Sequence, residues 1–90
     1  MPDGSKKAEA EELVELGKFY FLNQKYDQAV AEYRRAVELD PKNCDAYYNL
    51  GIALETVNDL EGAREAFEKL LEIDPDYKGA QEHYDRLVEQ

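Results

Sequence analysis

Apolar side chains recur at intervals of three and four through most of this chain. Leu13, Leu16, Gly17 and Tyr20 share one helical face, and Tyr47, Leu50, Gly51 and Leu54 share another. Each of these segments is followed by one with a small residue and an aromatic four positions on, Ala29 with Tyr33 and Ala63 with Phe67. The spacing predicts second helices from about Asp27 to Leu39 and from about Glu61 to Ile73. Asn23-Gln24-Lys25 and Asn58-Asp59 interrupt the pattern as short turns. Asn58 tolerates a left-handed backbone and Gln24 less readily, so the two turns are expected to differ. Asp40-Pro41 and Asp74-Pro75 end the second helices, because the residue before Pro is pushed out of the helical region.

Asn43 and Asp76 stand where N-caps would open the next helices, and Ser5 where a cap would open the first. A fifth helix is expected from about Lys78 to Glu89, with Ala80, Tyr84, Leu87 and Val88 as its apolar stripe. The whole is therefore expected to be five helices, two antiparallel pairs and a cap, with no strand. Gly17 and Gly51 sit inside helices, where Gly costs about 1 kcal/mol against Ala. The same cost at the same place twice implies close approach by the second helix of each pair.

Laid against itself at an offset of 34, the chain matches Leu16-Gly17 with Leu50-Gly51, Ala29 with Ala63, and Tyr33 with Phe67. Glu38 falls on Glu72 and Asp40-Pro41 on Asp74-Pro75. The shared skeleton resembles the tetratricopeptide repeat family over residues 10–77. Leu13 stands at an aromatic position, Tyr47 at the usual Trp, and Leu70 where the first copy has Ala36. The resemblance implies an all-α fold, a right-handed helical-hairpin solenoid. One domain would span 6–90, as repeats 10–43 and 44–77 and a capping helix 78–90, after a flexible tail over 1–5. Asp85 stands where the next glycine of the series would fall, which suits a polar-backed cap.

Net charge is −10, from 11 basic and 21 acidic residues. Before Cys44 there are 7 and 9, and from there on 4 and 12. Nucleic acid and an anionic membrane surface are excluded as expected partners, since both need clustered Lys and Arg. No apolar run is long enough to span a bilayer, and Met1 to Lys7 do not read as a signal peptide. A single cysteine favours a reducing, cytoplasmic setting.

Catalytic chemistry finds little material. His83 has no second His and no Cys beside it for a metal, and reads as a solvated surface residue. At a helix start, Cys44 would gain thiolate character, which Asp45 opposes. The glycines never cluster into a phosphate loop. Glu61, Glu65, Glu68 and Glu72 form a solvated stripe. The expectation is no cofactor, no metal and no enzyme.

What remains is a binding surface. In stacked helix pairs the first helices line the concave side. One stripe away from the skeleton lie Val14, Lys18 and Phe21 on the first helix, and Asp45, Tyr48, Ile52 and Glu55 on the third, with Asn49 alongside. Glu82 continues the stripe on the fifth. Val14, Phe21, Tyr48 and Ile52 are expected to face the groove without holding helix pairs together, although Phe21 and Ile52 equally suit an extended core. The family resemblance implies a scaffold for a peptide or helix of a partner protein, here one with apolar and basic residues. The subset of the family that grips chaperone carboxylates uses basic and Asn side chains. Asn49 matches, but Val14, Tyr48, Gly79 and His83 stand at the basic positions and Lys18 at an Asn, which argues against a clamp. Weak self-association through the same groove, or a bare engineered scaffold without ligand, are the other readings.

Overall fold

A computed structural model describes residues 3–89. Its helices are α1 (Asp3–Leu22), α2 (Tyr26–Leu39), α3 (Cys44–Thr56), α4 (Leu60–Ile73) and α5 (Ala80–Val88), with no strand among the described residues. α1 packs on α2 and α3 on α4 as two hairpins; α2 meets α3, and α5 closes the stack against α4. α1 already runs from Asp3, so residues 3–5 are helical rather than a tail and Ser5 lies inside the helix instead of capping it. Met1 and Pro2 of the expected tail lie outside the described residues.

The two hairpins share one crossing. A Cβ built on Gly17 would lie 2.5 Å from the Tyr33 ring, and one on Gly51 would lie 2.6 Å from the Phe67 ring. Each glycine thus leaves room for the aromatic of its own second helix, as the doubled sequence cost implied. Tyr33, Phe67 and Leu70 are the largest fully buried side chains, with Ala29, Ala36 and Ala63 fully buried beside them.

Both inter-helix turns use a left-handed residue, Gln24 at φ 58° and Asn58 at φ 67°. The expected difference between the turns is absent. Position, not residue type, decides: Lys25 N–H donates to Tyr20 C=O and Asp59 N–H donates to Leu54 C=O, a matched helix-ending bond that needs the preceding residue at positive φ. Asp40 and Asp74 do more than precede proline. Their carboxylates accept from Lys42 N–H and Asp76 N–H respectively, folding each stop into the same local turn.

Asn43 caps α3 by accepting from Ala46 N–H. Asp76 does not cap α5. Its N–H is held by Asp74, the residue matching Asn43 is Tyr77, and α5 starts only at Ala80 behind Gly79 at φ 87°. On α5, Ala80 and Leu87 are buried and Tyr84 half-buried, whereas Val88 is exposed, contrary to the expected stripe. Glu61, Glu65, Glu68 and Glu72 are all exposed.

The buried Tyr33 side chain makes the fold sensitive to alkali. Burial, helped by the negative charge of Glu15, pushes its pKa from 10.0 up to about 12. A phenol kept neutral in the fold stabilises below its unfolded pKa, and that stability is lost as pH rises between about 10 and 12. The loss should approach roughly 3 kcal/mol, and denaturant midpoints measured from pH 8 upward should stay level and then fall through that window. A Tyr33→Phe protein should show a shallower fall.

Candidate functional site

The inner face of the stack is built from α1, α3 and α5. On α1, Lys18 is exposed and pairs with Glu15 at 3.3 Å. Phe21 is half-buried with its ring edge-on to Tyr26, centroids 5.0 Å apart. Val14 is not a groove residue. It is only 3% exposed and belongs to the core with Ala10 and Gly17, because α1 is covered on two sides, by α2 and by α3.

On α3, Asp45 is exposed and its carboxylate accepts a hydrogen bond from the Tyr77 hydroxyl. Asn49 turns its amide back to the Asp45 carbonyl at 2.7 Å. Ile52 is half-buried against the core. Tyr48 is more than a groove wall. Its ring centroid lies 5.9 Å from Phe67, 5.2 Å from Tyr77 and 5.7 Å from His83, so it ties α3 to α4 and to α5. The expectation that Tyr48 holds no helices together is therefore overturned. Glu82 is exposed on the first turn of α5 and joins no ion pair among the described residues.

The structure builds a cluster around His83, which pattern reading assigned to solvent. His83 stacks on Phe67 with centroids 5.0 Å apart and planes 7° apart. Its Nε2 lies 3.4 Å from the Tyr48 hydroxyl, and its Nδ1 lies 3.2 Å from Glu55 Oε1 and 2.9 Å from an Arg86 N–H. The two Nδ1 contacts are alternatives: a protonated Nδ1 donates to Glu55, an unprotonated one accepts from Arg86. The Tyr48 hydroxyl complements either tautomer. Arg86 also lies 3.6 Å from Glu55, whose side chain is thereby engaged rather than free. The clue in the sequence was register, since two steps of 34 back from His83 lie Asn49 and Glu15 on the same inner stripe.

A cleft of about 390 Å³ opens between the first half of α1 and the start of α3. Glu11, Glu15, Asp40 and Asp45 line it against Lys7 and Lys42, with the edge of Val14 at its base. Cys44 also borders it. Burial first, then Asp74, Asp45 and Asp40, push the Cys44 thiol up, away from the thiolate that nucleophilic chemistry needs. Burial and the bond to Asp45 likewise keep the Tyr77 phenol neutral. No helix among the described residues is long and apolar enough to cross a membrane, and no three His, Cys, Asp or Glu converge there as metal ligands.

Two helical hairpins repeated at one offset, closed by a fifth helix, define a helical-hairpin repeat protein. Family profiles match over residues 17–57, described as TPR repeat, and over 44–77, described as Tetratricopeptide repeat. The chain belongs to the tetratricopeptide repeat family. It is 36% identical over 85 residues to the tetratricopeptide repeat domain-containing protein PYG7, chloroplastic, of Arabidopsis thaliana, covering 94% of this chain and 28% of that protein. With Hsp70-Hsp90 organizing protein 3 of the same plant it shares 35% identity over 91 residues, 89% of this chain and 16% of the relative. The chain thus spans less than a third of the length of these relatives. The crystal structure of MamA superposes with a TM-score of 0.85 at 30% identity, over 89% of this chain and 47% of MamA. The second TPR of Spaghetti (RPAP3), bound to the HSP90 peptide SRMEEVD, superposes at 0.91 over 97% and 80% of the two chains, but at 21% identity it speaks for the fold alone.

Proposed function

We propose that this chain is a non-catalytic scaffold that holds an extended or helical segment of another protein along the face made by α1, α3 and α5. The observation that carries this reading is the inner face itself. Half-buried Phe21, Tyr48 and Ile52 stand on α1 and α3, the two helices whose first halves border a cleft lined by four carboxylates and two lysines. Similarity to an Hsp70-Hsp90 organizing protein supports a protein-interaction role. The acidic lining selects the segment: apolar anchors flanked by Lys or Arg, not an acid-rich terminus such as SRMEEVD.

Three peptides test this by calorimetric titration: a Phe-Leu core flanked by Lys, the same core flanked by Glu, and SRMEEVD. The Lys-flanked peptide should bind at least tenfold tighter than either other, with affinity falling as salt rises. Glu11→Lys should narrow the gap, and Ile52→Ser should weaken the Lys-flanked complex. SRMEEVD binding as tightly as the basic peptide would overturn the reading.

A further inference from the structure

We infer that His83 is a pH-sensitive switch set into the α5 side of the inner face. On protonation its ring passes from Arg86 to Glu55, the face turns positive there, and a basic segment lying along it is released. The release rests on the groove reading proposed above, whereas the exchange of partners rests on the cluster alone. The ring stacks on Phe67 with planes 7° apart, and the backbone N–H of His83 donates to the Gly79 carbonyl at 3.2 Å. Nε2 lies 3.4 Å from Tyr48 Oη. Nδ1 has two neighbours of opposite charge, Arg86 Nη2 at 2.9 Å and Glu55 Oε1 at 3.2 Å.

Imidazole is the side chain whose charge ordinarily changes between about pH 5 and 8. With its one proton on Nε2, the neutral ring donates to Tyr48 Oη, and its Nδ1 lone pair accepts from Arg86. A second proton leaves the Nε2 bond as it was and changes Nδ1 alone. Protonated Nδ1 cannot accept, and it then faces a guanidinium at 2.9 Å, so attraction becomes repulsion. Glu55 Oε1 already lies within reach to take the new N–H. Arg86 keeps only the longer 3.6 Å approach to Glu55 Oε2 and, with 57% of its side chain exposed, turns toward solvent. The face of Phe67 favours a cation above it, so the ring holds its place while its charge changes. α3 meets the ring with Tyr48 and Glu55, α4 with the uncharged Phe67, and α5 with Arg86. Glu82, beside it in the chain, is exposed and joins no ion pair among the described residues. One carboxylate and one guanidinium therefore balance around the neutral ring, and protonation leaves one positive charge in excess. Tyr48 and Glu55 belong to the stripe proposed to hold the partner, so its Lys or Arg meets a neutral patch at high pH and a repelling one at low pH.

The test follows the intact chain by isotope-labelled NMR from about pH 8 to 5.5, above the range where ordinary carboxylates take up protons. The Arg86 side-chain signals should shift with the same midpoint as the His83 ring nitrogens, and in His83→Gln they should stay level. The Lys-flanked Phe-Leu peptide should bind at least threefold more weakly at pH 5.5 than at pH 8, and His83→Gln should remove that dependence. Arg86→Gln supplies a variant at an exposed position that should fold, which a thermal melt checks. It removes the balancing cation, so it should bind the peptide more tightly than the unaltered chain at pH 8 and still lose affinity as His83 protonates. Arg86 signals that ignore the His83 titration overturn the switch, as does equal peptide affinity at the two pH values or an unchanged pH dependence in His83→Gln. A peptide that binds at neither pH defeats the groove reading and the release with it, while the Arg86 titration still decides the exchange of partners.

Discussion

Phe67→Ala is expected to cost ~3–5 kcal/mol, the loss typical of a fully buried aromatic cut to methyl. Phe67 is fully buried, fills the space left by Gly51, meets Tyr48 edge-on and stacks on His83. Its removal therefore opens a cavity where α3, α4 and α5 converge. In a domain of this size the melting temperature should fall by roughly 10–30 °C, followed by circular dichroism. A fall of only a few degrees would mean that the second repeat and the cap are not held through this ring.

Gly51→Leu presses on the same crossing from the other side. A Cβ there already meets the Phe67 ring at 2.6 Å, and the ring is walled in by Tyr48 and His83. Helix propensity alone favours Leu over Gly by somewhat less than 1 kcal/mol. Overpacking should outweigh that gain, for a net cost of ~1–3 kcal/mol. Shrinking the ring should relieve part of it, so the double variant Gly51→Leu with Phe67→Leu should be more stable than the two single losses added together. A coupling of about 0.5–3 kcal/mol is the expected range for residues in contact. Strict additivity in urea unfolding would show that the glycine serves some need other than the ring.

The Gly–aromatic crossing was legible because it depends on spacing within one hairpin, and spacing is what a sequence shows. Five helices, their stops at Asp40 and Asp74 and the Asn43 cap followed from the same local rules. Val14 and Leu16 exchanged places for a non-local reason. Leu16 sits at a skeleton position that is buried only when a helix lies before it, and Val14 sits where α3 closes over α1. His83 was misplaced because its partners Tyr48, Glu55 and Phe67 come from two other helices, which a helical wheel of α5 alone does not contain. Gln24 at positive φ shows a matched backbone bond overriding residue preference. Lys18 is exposed and Phe21, Asn49 and Ile52 are half-buried on α1 and α3, but neither the engagement of Glu55 by Arg86 nor that of Asp45 by Tyr77 can be read from periodicity.

The central claim is that a basic, apolar segment lies along the inner face, and its most direct test is an isotope-labelled NMR titration with the Lys-flanked Phe-Leu peptide. The largest amide and methyl shift changes should fall on Lys18, Phe21, Asn49 and Ile52 and spread to Asp45 and Glu82. Changes centred instead on the cleft of about 530 Å³ across α3, between Arg34 and Val37 of α2 and Glu65 and Lys69 of α4, would contradict the account.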